Sequence, residues 1–188
     1  MQPAGETERL FVAVELPGPI RAELARLQDE AEGIAWSPPG QFHLTLRFLG
    51  DVTPDRREAL EGRLAQVRVE PFILPVEGVG AFPPKGPPRV VWMGTGHGHP
   101  RLFQLRQQVD DALLAAGVDV DVRTFHAHVT LGRCGPDAAP AVKRWLLRHE
   151  QAVGAPFRVD HFALFASLLR PDGAAHFLRR RFALERAS

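Results

Sequence analysis

The sequence predicts an α+β fold with two pseudo-symmetric lobes, each of mainly antiparallel sheet with outer helices, around a central cleft. Three observations lead to this prediction. Segments of alternating apolar and polar residues, typical of half-buried strands, recur along the 188 residues. Segments with the apolar spacing of amphipathic helices lie between them. The same order of segments also occurs twice, which predicts one bilobal domain over residues 1–188 with an internal repeat.

The repeat is clearest in two segments of the form His-x-Thr-Leu. The first begins at His43 and the second at His128, an offset of 85 residues (128 minus 43). The same offset carries the helical pattern at residues 54–69 onto residues 139–154, and the strand-like residues 72–82 onto residues 157–167. We therefore expect each lobe to contribute one His-x-Thr strand to a shared cleft.

Alternate residues of a strand share a face, so His43 and Thr45 should face the cleft, as should His128 and Thr130. The intervening apolar residues of the first strand should then face the core; they are Leu44, Leu46 and Phe48.

Two arginines follow the motifs and are candidates for binding phosphate. Arg47 lies at an even offset from His43, which predicts that it faces the cleft. Arg133 lies at an odd offset from His128, so a regular strand would turn it away and only a bulge would bring it back.

Proline and glycine mark where the elements begin and end. Pro-Gly-Pro at residues 17–19 separates a strand from a helix, and Thr53 with Pro54 begins another helix. The proline-rich residues 83–88 and the Arg-Pro-Asp-Gly turn at residues 170–173 each join two strands. Strands are predicted at residues 10–16, 34–36, 41–50, 72–82, 90–93, 118–122, 125–133, 157–169 and 174–184, and helices at residues 20–31, 54–69, 100–116 and 139–154.

The charge of the chain argues against a general nucleic-acid binder, because the net charge is only +1. Residues 1–94 carry 10 basic and 13 acidic side chains, whereas the remainder carries 13 basic and 9 acidic ones, so the second half is the better candidate for phosphate contacts. The single cysteine, Cys134, allows no intramolecular disulfide, and neither a membrane-spanning segment nor a signal-peptide core is evident. We expect a cytoplasmic monomer that does not contact membranes.

Two imidazoles that share a cleft suit a reaction in which one proton is removed and another is delivered. Phosphodiester hydrolysis without a metal is such a reaction. The hydroxyls of Thr45 and Thr130 could donate to non-bridging phosphate oxygens as negative charge develops. Because the two motifs are alike, the residues alone do not decide whether His43 or His128 is the acid.

These motifs also carry a family resemblance. Together with Arg-Leu-Phe-Val-Ala at residues 9–13, Trp36, Pro39 and Pro-Arg-Val-Val-Trp at residues 88–92, they resemble the 2H phosphoesterase superfamily. Within it the chain is most similar to the bacterial and archaeal RNA 2′,3′-cyclic phosphodiesterases, also called 2′-5′ RNA ligases. The resemblance covers roughly residues 8–184, and Ala127 stands where the family commonly has proline.

The resemblance implies an enzyme that opens 2′,3′-cyclic phosphate ends of RNA to 2′-phosphates without a cofactor. It implies that His43 is the proton donor and His128 the proton acceptor. RNA with a cyclic phosphate end, tRNA fragments included, would be the substrate, and reversible 2′-5′ ligation would use the same site.

Two other functions remain open from the sequence. The pairs His97-x-His99 and His126-x-His128 are spaced for metal ligation on strands, which would make the protein a metal-dependent phosphohydrolase, although no carboxylate or cysteine completes a recognisable ligand set. Activity in EDTA would exclude this reading. A non-catalytic protein that holds RNA ends would instead bind a cyclic phosphate without turning it over.

Overall fold

The computed structural model describes residues 7–96, 98–120, 124–170 and 173–186. Its strands are β1 (Glu8–Glu15), β2 (Ile34–Trp36), β3 (His43–Val52), β4 (Phe72–Glu77), β5 (Val79–Phe82), β6 (Val90–Gly94), β7 (His128–Cys134), β8 (Val153–Val159), β9 (His161–Arg170) and β10 (Gly173–Ala183). Its α-helices are α1 (Gly18–Ala25), α2 (Pro54–Leu64), α3 (Pro100–Ala115) and α4 (Ala139–Arg148).

Most strands join one large antiparallel sheet. Their order is β10-β9-β1-β3-β7-β6-β5, with β2 paired to a second part of β7, while β4 and β8 form a separate two-stranded sheet. The pairings between these named strands are antiparallel. The predicted α+β class with mainly antiparallel sheet is therefore confirmed.

At the centre of the large sheet β3 pairs with β7 through Leu44 and Val129, and this pair joins two groups of strands. On one side lie β10, β9 and β1, so the next-to-last strand of the chain pairs with its first strand and the last strand forms the edge beyond it. On the other side β5 pairs with β6, which pairs with β7. The two groups of strands are thus not the two halves of the sequence. The single bilobal domain with an 85-residue repeat (128 minus 43) stays a prediction.

The first helix is shorter than predicted: α1 ends at Ala25, whereas the sequence predicted a helix to residue 31. The segment that follows is held by side chains that bind its backbone carbonyls: Trp145 Nε1 donates to Leu27 at 2.8 Å and Trp36 Nε1 donates to Asp29 at 2.7 Å. The indoles of Trp36, seven residues from its acceptor, and of Trp145 in α4 therefore replace helical hydrogen bonds.

The second and fourth helices also end earlier than predicted, at Leu64 and Arg148. After α2, the backbone N–H of Arg68 donates to the side chain of Gln108 in α3 at 2.7 Å instead of to a carbonyl of the helix. None of the helices in the described ranges has the length and apolar character that a bilayer crossing requires.

Two predicted long strands are broken. The strand predicted at residues 72–82 divides at Gly78, whose φ of 81° favours glycine, and β4 and β5 then enter different sheets. The strand predicted at residues 157–169 divides likewise at Asp160, between β8 and β9. Of the strand predicted at residues 118–122, residues 118–120 form no strand and the other two lie outside the described residues.

Candidate active site

The two His-x-Thr segments meet where β3 pairs with β7. Leu44 and Val129 are the paired residues, and both are buried, at 0% and 3% exposure. Extended by one position each way, this antiparallel register sets His43 opposite Thr130 and Thr45 opposite His128, on the face away from the core. The structure therefore brings the four predicted residues together on one face of the sheet.

Both histidines are oriented by the same backbone contact. Nδ1–H of His43 donates to the carbonyl of Gln41 at 2.7 Å, and Nδ1–H of His128 donates to the carbonyl of His126 at 2.6 Å. Since Nδ1 carries the proton in each neutral ring, Nε2 is the nitrogen that can exchange a proton with a substrate. Sequence alternation predicted the face of these side chains, and the carbonyl contacts define their tautomers.

The pKa of His43 is lowered to about 4, mainly by burial and also by the nearby charges of His176 and His128, while the Gln41 contact opposes the change. Burial also lowers the pKa of His128, and the charge of His126 adds to that effect. Both rings are thus neutral at pH 7 in the ligand-free protein. The contribution of His128 to the lowered pKa of His43 also places the two rings within electrostatic reach of each other.

We expect nuclear magnetic resonance to record a His43 titration with a pKa of about 4 in the ligand-free protein. An unfolded chain takes up this proton near pH 6.5, and the folded chain does not. His43 therefore stabilises the fold least at low pH: its contribution is complete above pH 6.5 and decreases as the pH falls towards 4. The missing signal in His43→Gln assigns the resonance, and a midpoint near 6.5 would contradict the burial of this ring.

The prediction that Arg47 faces the cleft is wrong. Leu46 is left without a partner as the β1–β3 register passes from Val12–Arg47 to Ala13–Thr45, so β3 has a bulge there. The bulge reverses the alternation and turns Arg47, only 8% exposed, towards α3. There Nε and an Nη of Arg47 donate to the two carboxylate oxygens of Asp110, at 2.8 and 2.7 Å.

The ion pair of Arg47 with Asp110 should contribute to the stability of the fold and not to the binding of the substrate. Asp110→Asn removes the negative charge that Arg47 binds and that Nε of Arg106 also contacts at 3.1 Å, so we expect the free energy of unfolding to fall by about 2 kcal/mol, the loss typical of a hydrogen bond to a charged group. Chemical denaturation measures this. The adjacent Asp111→Asn is the control, since Asp111 is exposed and accepts a hydrogen bond from the neutral amide of Gln107. Equal losses in both variants would contradict this role of Asp110.

The same bulge moves Phe48 out of the predicted core. Phe48 is 67% exposed, and its ring lies 5.9 Å from that of Phe11. Phe11 also contacts His43, with ring centroids 4.9 Å apart. Phe48 therefore lies on the cleft face that the sequence assigned to Arg47.

A corresponding bulge brings Arg133 into the cleft. Leu131 has no partner as the β6–β7 register passes from Val91–Gly132 to Trp92–Thr130. Its number is that of Leu46 plus 85, so both motif strands bulge at the same repeat position. Arg133 is thereby turned to the face of His128. Burial lowers the pKa of His176, and the positive charge of Arg133 adds to this effect. Of the two arginines predicted from the motifs, the exposed Arg133 is therefore the one that lies on the cleft face.

Sequence reasoning missed His176 of β10. Its ring lies edge-on to His43, with centroids 5.1 Å apart and an interplanar angle of 85°. It also packs edge-on against Phe11 at 4.9 Å. Position 91, which is 85 residues earlier, is a valine, so the repeat carries no signal for this histidine. Only the placement of β10 beside β9, which in turn pairs with β1, brings it to the site.

The described residues hold no cluster of three or more potential metal ligands. His99 caps the N-terminus of α3, where its Nδ1 accepts from the backbone N–H of Arg101 at 3.2 Å and its ring stacks on Phe72 at 4.9 Å. His126 instead packs against Phe82, with centroids 5.4 Å apart. His97 lies outside the described residues. The predicted pairs thus form no ready ligand set in this part of the chain.

Comparison with known proteins points to one family. The sequence model described as LigT like Phosphoesterase matches residues 14–92 and 96–175. The RNA 2′,3′-cyclic phosphodiesterase of Archaeoglobus fulgidus is 36% identical over 171 residues, covering 88% of this chain and 94% of that protein. Apo E. coli LigT superposes with a TM-score of 0.80 at 26% identity, covering 97% of this chain and 100% of that one. The E. coli LigT structure with 3′-AMP gives a TM-score of 0.79 at 26% identity, covering 95% and 99%.

Proposed function

The chain belongs to the LigT-like phosphoesterase family, and from that membership we propose that it hydrolyses 2′,3′-cyclic phosphate ends of RNA to 2′-phosphates. The observation that carries the proposal is the meeting of two His-x-Thr strands on one face of a sheet at Leu44 and Val129. The similar protein of Archaeoglobus fulgidus is named an RNA 2′,3′-cyclic phosphodiesterase, and E. coli LigT has been solved with 3′-AMP. Both support an RNA end as the substrate.

In the proposed reaction, Nε2 of His128 removes a proton from a water molecule that attacks phosphorus. The new bond joins the water oxygen to phosphorus, and the bond from phosphorus to the ribose 3′-oxygen breaks. His43, protonated at Nε2, delivers its proton to that departing oxygen. The product is a 2′-phosphate with a free 3′-hydroxyl, and proton exchange with solvent restores both rings.

Three side chains would stabilise the transition state. The hydroxyls of Thr45 and Thr130 lie on the face of the histidines, and they would donate to the non-bridging oxygens as charge grows. Arg133 supplies a positive charge at the edge of the same cleft. With an RNA 5′-hydroxyl in place of water, the same base and acid would form the bond from its oxygen to phosphorus and break the bond to the ribose 3′-oxygen, which makes a 2′-5′ linkage. The reverse of that step would cleave the linkage and restore the cyclic phosphate. RNA fragments with cyclic phosphate ends, such as cleaved tRNA, would be substrates of both hydrolysis and ligation.

The lowered pKa values of the two histidines predict how the rate depends on pH. An anionic phosphate beside the rings favours their protonated forms, so binding should raise both pKa values. Because kcat/KM reports the free enzyme and kcat the bound complex, we expect the kcat profile to lie at higher pH than the kcat/KM profile. Rates measured from pH 4 to pH 9 test this, over roughly the range in which histidines titrate. Profiles that coincide would show that substrate leaves the pKa values unchanged.

Product analysis tests the reaction itself. A 2′,3′-cyclic mononucleotide or a short RNA with a 2′,3′-cyclic phosphate end is incubated with the protein in EDTA. Phosphorus NMR then distinguishes a 2′-phosphate product from a 3′-phosphate product. We expect the 2′-phosphate alone. Activity that appears only after a divalent metal is added would favour a metal-dependent phosphohydrolase. Binding without any product would favour a protein that only holds RNA ends.

A further inference from the structure

We propose that His176 binds the nucleoside of the terminal nucleotide through a hydrogen bond from Nε2, in a pocket on the His43 side of the cleft. This inference rests on the proposed function, because it names the part of the same substrate that lies beside His43. Four observations about the described residues support it: the position of the ring, its unpartnered nitrogen, its charge state and the pocket that it lines.

The first observation is the position of the ring. In the β9–β10 pairing His176 lies opposite Ser167, and Phe165 of the same strand face lies opposite Phe11. Phe11 and Phe165 stack at 5.2 Å and form an apolar wall beside His43. His176 stands against this wall, in edge contact with both Phe11 and His43.

The second observation is that Nδ1 of His176 is buried and has no hydrogen-bond partner in the described part of the chain. This differs from His43 and His128, whose Nδ1 atoms each donate to a carbonyl. A buried N–H without an acceptor is costly, so the proton of the neutral ring belongs on Nε2. Nε2 is therefore a donor and the ring nitrogen that a ligand can reach.

The third observation is that burial and the positive charge of Arg133 both lower the pKa of His176. At pH 7 the ring is therefore neutral. A neutral imidazole adds less to phosphate binding than a charged group does, so Arg133 is better suited to that role than His176. His176 suits a neutral acceptor, such as a ribose oxygen or a base carbonyl.

The fourth observation is an open pocket, about 390 Å³ with the solvent at its mouth included, that His43 and His176 line together. Phe11 and Phe165 form its apolar wall, and Arg21 and Gln41 add polar groups. The lining residues include none from β7, so a group in this pocket lies on the His43 side of the phosphate. The departing ribose oxygen must also lie on the side of the proton donor. A nucleoside in this pocket thus agrees with His43 as the acid, a choice that the two alike motifs leave open.

Paired binding measurements test the inference without depending on turnover. Calorimetry gives the Kd of a nucleoside 2′-monophosphate and of inorganic phosphate for the wild type, His176→Phe and His176→Gln. Phenylalanine keeps a ring against Phe11 and removes both nitrogens, whereas glutamine keeps an amide N–H near the position of Nε2. Phe177→Leu, on the opposite face of β10, is the control variant.

We expect His176→Phe to weaken nucleotide binding roughly 5- to 10-fold, the worth of one neutral hydrogen bond, and to leave phosphate binding unchanged. His176→Gln should recover most of the affinity. For the cyclic phosphate RNA, His176→Phe should raise KM and leave kcat nearly unchanged. Thermal unfolding of each variant reports whether its fold is retained.

Several results would overturn the inference: equal weakening of nucleotide and phosphate, unchanged nucleotide affinity in a folded His176→Phe, or no nucleotide binding by the wild type. A wild type that binds the nucleotide through His176 but yields no product from cyclic phosphate RNA would retain the inference and refute the proposed hydrolysis. The two failures are therefore distinguishable.

Discussion

His43→Ala and His128→Ala should each lower kcat for the cyclic phosphate by at least about 100-fold, the smaller end of the effect of a general acid or base. Each substitution removes one of the two proton-transfer steps of the proposed reaction, and neither ring can perform both at once. Both Nε2 atoms are needed, because each Nδ1 is bound to a carbonyl. The bell-shaped pH profile of the wild type should lose one limb in each variant.

A histidine far from the cleft supplies the control. His149 is partly buried like His43 and pairs with Asp29 at 3.3 Å, so His149→Ala should alter stability and leave kcat unchanged. Thermal unfolding should show that the His43 and His128 variants remain folded. A large loss from only one of these two substitutions would mean that the second motif is a structural copy without a catalytic role.

Thr130→Val and Thr45→Val should each lower kcat by roughly 10- to 1,000-fold, by analogy with the removal of one oxyanion donor. Valine keeps the β-branched shape, so the strand should be retained while the hydroxyl donor is lost. A hydroxyl does not exchange protons near pH 7, so the two limbs of the pH profile should remain in place. The two variants should behave alike, because the register sets each threonine opposite the histidine of the other strand.

The control for this prediction is Thr95→Val. Thr95 is 3% exposed, and its hydroxyl has no hydrogen-bond partner among the described residues, so the same substitution removes no bond that the structure records. It should leave kcat at the wild-type value. If Thr130→Val or Thr45→Val also matched the wild type, that hydroxyl would take no part in charge stabilisation.

The sequence was sufficient to place the four motif residues, because a strand alternates with a period of two and both motifs have the same spacing. After a bulge, the side chains of a strand no longer follow the simple alternation of faces. The bulges at Leu46 and Leu131 arise where these strands pair with β1 and β6, and the local sequence does not reveal that pairing. The two bulges therefore exchanged the expected places of Arg47 and Arg133. The resulting geometry turns one arginine to Asp110 and the other to the cleft.

His176 could not be predicted for a different reason. It is 133 residues from His43 (176 minus 43), and no motif marks it. Its contact with His43 exists because the last two strands of the chain complete the sheet beside β1. The early end of α1 has a similar origin, since the indole of Trp145, 118 residues away, binds the carbonyl of Leu27. Local patterns predict elements and faces, whereas contacts between distant segments depend on the assembled fold.

The central claim is that His43 and His128 act on one phosphate from opposite sides. A crystal structure of the protein with a nucleoside 2′-monophosphate tests it most directly. We predict that Nε2 of His43 and Nε2 of His128 both lie within about 3 Å of phosphate or ribose oxygens, with the nucleoside on the His43 side. A phosphate bound by only one of these histidines, or bound elsewhere on the protein, would contradict the account.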